Sequence, residues 1–314
     1  MIFIFNYIFI IKKEQMIYLN KILYKILTLL PKSIVRLFSK RYIAGFDFDE
    51  TIAICKNLNN QGFLLTLDIL GEHTKTREEA DLITNKYKDI LKIIDTNNIK
   101  SNISIKPTHI GYDVNQEIFE KNLSELVLVA NKYSNFIRID MENSKITDGT
   151  LKAYNKIHKT SNNTGIVLQA YLFRTLEDLK NLQKNNLNFR LCKGIYKESN
   201  DIAFQDKNEI NENYLKILEY ALSNQIYVGI ATHDEYLLSE SYKLIEKLSA
   251  SPDFFEFQAL YGVPLAKWYK RHIKNNYKVR LYLPFGDDWY LYSLRRIKEN
   301  PNIGQYVIKN LFKN

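Results

Sequence analysis

Short apolar segments alternate with longer polar segments from residue 62 to the end of the chain. The apolar segments run for four to seven residues and are rich in β-branched and aromatic side chains, which is typical of strands buried on both faces. We predict eight such strands, at Phe63–Ile69, Ile103–Lys106, Phe136–Asp140, Gly165–Tyr171, Asn188–Cys192, Ile226–Ala231, Phe254–Gln258 and Val279–Leu283.

The polar segments between these strands carry apolar residues at helical spacing. Seven such segments are predicted to be helical, among them Arg77–Asn97, Gln116–Tyr133, Leu176–Asn185, Asn211–Asn224 and Glu235–Leu248. Eight strands with seven intervening helical segments predict an α/β fold, a (β/α)8 TIM-type barrel that spans residues 62–314. No G-x-G-x-x-G follows any strand, which argues against a Rossmann-type dinucleotide-binding domain.

Residues 1–61 form a predicted N-terminal helical arm that precedes the barrel. A helical pattern begins at Met16 and ends before Pro31, and Ser33 is predicted to cap a second helix that extends to Arg41. The apolar run before Met16 is far shorter than the ~20 residues that span a bilayer. Lys12 and Lys13 follow this apolar run, whereas a secretory signal carries its basic residues before the apolar run. Met16 is therefore an alternative start to Met1.

The net charge of +9 is concentrated in the arm, since residues 1–41 hold eight basic residues against one acid. The arm either packs on the barrel or lies as a basic amphipathic helix on an anionic membrane surface. The rest of the chain is nearly neutral, so no nucleic-acid partner is expected. The two cysteines form no disulfide framework and fit no zinc spacing, which indicates a reducing, cytoplasmic compartment and no metal.

Polar side chains collect where the predicted strands end. They are Asp68, Glu72, Lys106, Asp140, Glu142, Gln169, Tyr171, Arg190, Lys193, Thr232, His233, Asp234, Glu256 and Gln258. Active sites of (β/α)8 barrels lie at this end of the strands, and buried charges must be paired. The pattern predicts a large polar ligand site at the barrel mouth.

A helix predicted before Pro301 places two aromatic and two basic side chains on one face, at Trp289, Tyr292, Arg295 and Arg296. Adjacent guanidinium groups on an inward face match a carboxylate in bidentate fashion. The alternative is a solvated basic helix end.

Motifs at successive strands occur in one order along the chain. They are Leu67–Glu72 (LDILGE), Ile137–Glu142 (IRIDME), Val167–Tyr171 (VLQAY), Arg190–Gly194 (RLCKG), Ala231–Asp234 (ATHD), Phe255–Gln258 (FEFQ), Leu260–Gly262 (LYG) and Tyr292–Arg296 (YSLRR). This ordered set, over about residues 35–305, resembles the proline dehydrogenase family. The resemblance implies a barrel flavoenzyme that oxidises L-proline to 1-pyrroline-5-carboxylate with FAD and passes the electrons to a membrane quinone.

The resemblance also implies a substrate site. Its residues are Glu72, Lys106, Tyr196, Leu260, Tyr282, Tyr292, Arg295 and Arg296. The two arginines and Lys106 would clamp the proline carboxylate, Glu72 would close over Arg295 as an ion pair, and Tyr282 would disfavour hydroxyproline.

Asp140 and Arg190 are the implied catalytic residues, with Asp140 supporting Lys106 and Arg190 facing the flavin ring. The implied cofactor contacts are Met141, Gln169, Arg190, Lys193, Gly194, Ile195, Thr232 and His233. Two alternatives remain open: a flavin barrel enzyme that acts on a related cyclic amino acid, and a non-catalytic binder. Peripheral contact with the inner membrane face through the arm is a further expectation.

Overall fold

Eight parallel strands close into a barrel in strict chain order in a computed structural model, which describes residues 32–40, 42–182, 186–290 and 292–294. The strands are β1 Leu64–Ile69, β2 Ser101–Ile105, β3 Ile137–Ile139, β4 Thr164–Gln169, β5 Asn188–Cys192, β6 Tyr227–Ala231, β7 Phe255–Leu260 and β8 Val279–Phe285. The predicted (β/α)8 barrel is confirmed, and each predicted strand overlaps one of these.

Of the α-helices in the described part of the chain, two precede the first strand, and seven more follow β1 to β7 and cover the outside of the barrel. They are α1 Lys32–Ser39, α2 Phe48–Asn60, α3 Arg77–Thr96, α4 Gln116–Lys132, α5 Ser144–His158, α6 Thr175–Asn181, α7 Lys207–Ser223, α8 Glu235–Lys247 and α9 Ala266–Lys274. Their apolar faces pack on strands that are buried on both sides, so the core lies between helices and barrel.

Helix ends differ from prediction where a capping residue decides them. Helix α7 begins at Lys207 rather than Asn211, because the Asp206 side chain accepts the backbone N–H groups of Asn208 and Glu209. Helix α6 ends at Asn181, before the predicted end, and residues 183–185 lie outside the described part of the chain.

The described part of the predicted arm packs on the barrel. Helix α1 is already helical at Lys32, so Ser33 is not its N-cap as predicted, because a capping residue has non-helical backbone angles. Helix α2 buries Cys55 and Leu58 in the barrel core. Residues 1–31, which include the predicted helix from Met16, lie outside the described residues. Among the helices that are described, none has the length and apolarity needed to cross a membrane.

Two histidines are buried against the barrel in their neutral form. Burial lowers the pKa of His109 to about 3, with repulsion from Lys106 and Lys86 adding to it. Burial likewise lowers the pKa of His272, which stacks on Phe257, to about 4. An unfolded histidine titrates near 6.5, so in acid the unfolded chain takes up protons that the folded chain excludes.

We expect the free energy of unfolding to fall as the pH drops below about 6.5. Each histidine contributes about 2 kcal/mol of this loss between pH 7 and pH 5. Urea denaturation at both pH values measures it, with His272→Gln as the comparison. The variant should lose about 2 kcal/mol less over that interval, and an equal loss in both proteins would contradict the assignment.

Candidate active site

A cavity of about 710 Å³ opens at the carboxyl ends of the strands. Every strand, or the residue that follows it, contributes a side chain to its lining, as the arrangement of a parallel barrel requires. A cavity therefore lies at the barrel mouth, where the ligand site is predicted, and its volume is in the range that holds small molecules and cofactors.

Asp68 and Lys106 form a buried ion pair on one wall of the cavity. The Lys106 Nζ donates to Asp68 Oδ2 at 2.6 Å, and the Tyr87 hydroxyl donates to the other oxygen at 3.3 Å. Lys106 is extended, as expected for a residue before proline, and this directs it across to β1. Burial opposes the charge on Lys106, but Asp68 and Asp140 outweigh it and raise the pKa of the lysine.

Asp140, directly after β3, connects three other elements of the barrel. One carboxylate oxygen accepts from Arg190 Nη1 at 2.8 Å and from the Ser104 hydroxyl at 2.6 Å. The other oxygen accepts from the Tyr282 hydroxyl at 2.9 Å. The Arg190 guanidinium lies 5.0 Å from the centre of the Tyr282 ring. These contacts fix a cation, an anion and an aromatic ring on the cavity floor.

Glu142 is fully buried and anchors the next part of the wall. Its two oxygens accept from the backbone N–H and the hydroxyl of Thr108, at 2.9 and 2.7 Å. Burial raises the pKa of this carboxyl despite the two hydrogen bonds. The Gln169 side chain donates to the Glu142 backbone carbonyl at 2.8 Å, which places Gln169 beside the cavity.

Glu72, His73 and Glu142 bring their ligand atoms within 4.8 Å of one another, an arrangement that the sequence did not suggest. His73 Nδ1 also lies 2.6 Å from Asp113 Oδ2. Such a cluster can hold a cation, so the expected absence of a metal stays a prediction.

Two ion pairs to Asp234 hold the cavity rim. Lys193 Nζ lies 2.6 Å from Asp234 Oδ2, and Lys207 Nζ lies 3.1 Å from the same atom. Burial opposes ionisation of Asp234, but the two lysines outweigh it and lower its pKa to about 2. His233 is exposed, and its Nε2 accepts the backbone N–H of Leu260 at 3.0 Å, so it is not a core imidazole.

The predicted site residues within the described part of the chain all line this cavity. They are Glu72, Lys106, Asp140, Met141, Gln169, Arg190, Lys193, Gly194, Ile195, Tyr196, Thr232, His233, Leu260, Tyr282 and Tyr292. Arg295 and Arg296, the predicted carboxylate clamp, lie outside the described residues.

Two of the lining carboxylates that pair with lysines received no role from the sequence, although both were noted at strand ends. Asp68 is the partner of Lys106, and Asp234 is the partner of Lys193. Their position at a strand end was the available signal, but nothing local identified the partner of either one.

The family model described as "Proline dehydrogenase" matches residues 51–307. Proline dehydrogenase 2 of Bacillus subtilis (strain 168) is 34% identical over 278 residues, which cover 88% of this chain and 91% of that protein. Proline dehydrogenase of Deinococcus radiodurans is 32% identical over 283 residues, which cover 88% of this chain and 90% of that protein.

A solved structure gives the same result for the fold. Proline utilization A from Bdellovibrio bacteriovorus, inactivated by N-propargylglycine, aligns with a TM-score of 0.75 and 27% identity over 84% of this chain. The alignment covers 32% of that larger protein, so this chain corresponds to about a third of it.

Proposed function

The chain belongs to the proline dehydrogenase family, and on that premise we propose that it oxidises L-proline to 1-pyrroline-5-carboxylate. In this proposal a hydride passes to FAD, and the electrons then pass to a quinone. The observation that carries the proposal is that the predicted substrate and cofactor residues of the described chain meet in one cavity.

The charge balance of the cavity suits a zwitterionic amino acid. Among the described lining residues there are five carboxylates, on Asp68, Glu72, Asp140, Glu142 and Asp234, against three permanent cations, on Lys106, Arg190 and Lys193. Each of the three cations is paired with a lining carboxylate. The carboxylates favour the substrate amine, and the substrate carboxylate needs further cations. Arg295 and Arg296 are the basic residues that we propose for that task, together with Lys106.

The cavity also fits a flavin. It has apolar walls at Val167, Ala259 and Leu260, while Arg190 and Gln169 supply polar groups beside them. Ile195 lines the rim with 63% of its surface exposed, which suits an apolar side chain that a flat ring system covers. Arg190, Gln169, Met141 and the rim residues Lys193, Gly194, Ile195, Thr232 and His233 would hold the cofactor.

FAD, when bound, supplies the hydride acceptor. The task of the chain is then to position the substrate, because a hydride moves only between atoms that are already close. Tyr196, Tyr282, Tyr292 and Leu260 would wall the ring of the substrate. Arg190, held by Asp140, places a fixed positive charge on the cavity floor, where it stabilises negative charge on a bound group without reorganisation.

Anaerobic addition of L-proline tests the proposal directly. The purified protein should show the visible absorbance of oxidised flavin, and L-proline should bleach it. Because Tyr282 closes the substrate wall, trans-4-hydroxy-L-proline should bleach it far more slowly. A colourless protein that does not bind FAD would support a non-catalytic binder. Bleaching by another cyclic amino acid but not by proline would assign a different substrate.

A quinone acceptor implies contact with a membrane surface. The excess of positive charge in residues 1–41 would draw a cytoplasmic enzyme to anionic lipid on the inner face. Deletion of residues 1–30 should then reduce co-sedimentation with anionic vesicles. Unchanged co-sedimentation would reject membrane docking through the arm. It would not bear on the proposed oxidation of L-proline, which the bleaching experiment tests separately.

A further inference from the structure

A chain of hydrogen bonds runs through the barrel interior from Arg280 to the cavity. Arg280 Nε donates to Glu256 Oε1 at 2.6 Å, and Gln258 Nε2 donates to the same oxygen at 2.6 Å. Gln258 Oε1 in turn accepts from Arg190 Nε at 2.6 Å. Glu256 is fully buried and is not among the residues that line the cavity. It nevertheless connects to Arg190 through a single side chain.

The chemistry of these groups fixes the orientation of the Gln258 amide. A guanidinium can only donate hydrogen bonds, and an ionised carboxylate can only accept them. Attraction to Arg280 outweighs burial and holds the pKa of Glu256 below its usual value, so this carboxyl stays ionised. The amide of Gln258 must therefore turn its NH2 group to Glu256 and its oxygen to Arg190. With the amide reversed, its NH2 group would face the Nε–H of Arg190.

The backbone of β6 packs directly against this amide. Gly229 pairs with Arg190 on one side and with Glu256 on the other. A Cβ at Gly229 would lie 2.3 Å from Gln258 Nε2 and 2.7 Å from its Cδ. A side chain at position 229 would therefore displace the Gln258 amide, which is the flexible end of that side chain.

Two of the three Arg190 side-chain nitrogens donate hydrogen bonds within this network. Nε donates to Gln258, and Nη1 donates to Asp140 at 2.8 Å. Nη2 donates to no side chain or carbonyl within the described ranges, and Arg190 lines the cavity. The guanidinium is therefore held through two of its nitrogens, Nε and Nη1, and leaves Nη2 for a ligand.

We propose that Glu256 is a positioning residue, which sets the amide orientation of Gln258 and thereby holds the Arg190 guanidinium against Asp140 with Nη2 presented to the ligand. The consequence for proline oxidation rests on the proposed function, whereas the positioning itself does not. The alternative is that Glu256 only neutralises the buried charge of Arg280.

Hydrogen exchange of the Arg190 Nε–H, followed by NMR on the holoenzyme and assigned with Arg190→Lys, reports the positioning directly. In the native protein this hydrogen should exchange slowly, because it is buried in a hydrogen bond. Glu256→Gln should speed the exchange at least tenfold and lower kcat/KM for L-proline at least tenfold. Gly229→Ala should produce the same two changes while every charge is retained, because it displaces the Gln258 amide.

Two further variants separate positioning from charge neutralisation. The double variant Glu256→Gln/Arg280→Met contains no unbalanced buried charge, and its Arg190 Nε–H should still exchange fast. Tyr227→Phe removes a different neighbour of Glu256 and should leave the exchange as in the native protein. Slow, native-like exchange in the double variant or in Gly229→Ala would overturn the proposal. If L-proline fails to bleach a protein that shows the predicted exchange pattern, the proposed function fails while the positioning stands.

Discussion

Asp140→Asn is expected to lower kcat/KM for L-proline by about 100-fold to 4000-fold. The substitution keeps the shape of the side chain but removes its negative charge, which pairs with Arg190. It also replaces one of the two carboxylate oxygens, which accept from Arg190 and from the Tyr282 hydroxyl, with an NH2 group. Arg190 and Asp140 have only 9% and 14% of their side-chain surfaces exposed, so water does not replace the lost partner. Breaking such a pair costs about 3–5 kcal/mol, and each 1.4 kcal/mol corresponds to about a factor of ten.

Steady-state kinetics with L-proline measures this loss, and thermal unfolding verifies that the variant is folded. Glu219→Gln is the matched control, because it also neutralises an ion-paired carboxylate, but on the outer surface beside Lys247. An exposed pair contributes little, so the control should stay within about twofold of the native enzyme. If Asp140→Asn retained kcat/KM within threefold, Asp140 would have no catalytic role.

Lys106→Met is expected to lower the free energy of unfolding by about 3–5 kcal/mol, because it leaves Asp68 buried without its partner. Asp68 has 3% of its side-chain surface exposed and Lys106 has 19%, so the pair is shielded, yet the lysine still reaches the cavity. Urea denaturation measures the change. Lys121→Met, which breaks the exposed pair with Glu125, should cost less than about 1 kcal/mol.

The double variant Asp68→Asn/Lys106→Met separates stability from substrate binding. Without the lone carboxylate, it should recover much of the lost stability. It should still bind L-proline at least tenfold more weakly, because the proposed carboxylate clamp would lose one of its three cations. A double variant with native affinity for L-proline would show that Lys106 supports the fold alone. If Lys106→Met were as stable as the native protein, the ion pair between Lys106 and Asp68 would not contribute to stability.

Much of the fold followed from local sequence pattern. Strand-length apolar segments separated by amphipathic helices are sufficient to indicate a parallel barrel, because each crossover helix returns the chain to the start of the next strand and covers the outer face of the sheet. The capping residue Asp206 shows where this approach was less exact: the helix that it starts carries polar residues in its first turn, and their periodicity is weak. The polar residues at strand ends could likewise be recognised from the sequence. Because all eight strands run in the same direction, these residues meet at one end of the barrel.

The identity of each partner was decided only by the tertiary structure. Asp140 bonds to Tyr282 across 142 positions of sequence, and Asp68 bonds to Lys106 across 38. The sequence indicated that charges would gather at the barrel mouth, and it suggested Asp140, rather than Asp68, as the support of Lys106. Closure of the barrel places β1 beside β8, and the register of neighbouring strands then fixes which side chains face each other. Hydrogen bonds and ion pairs act over a few ångströms, so no local pattern in the chain records which distant residues they join.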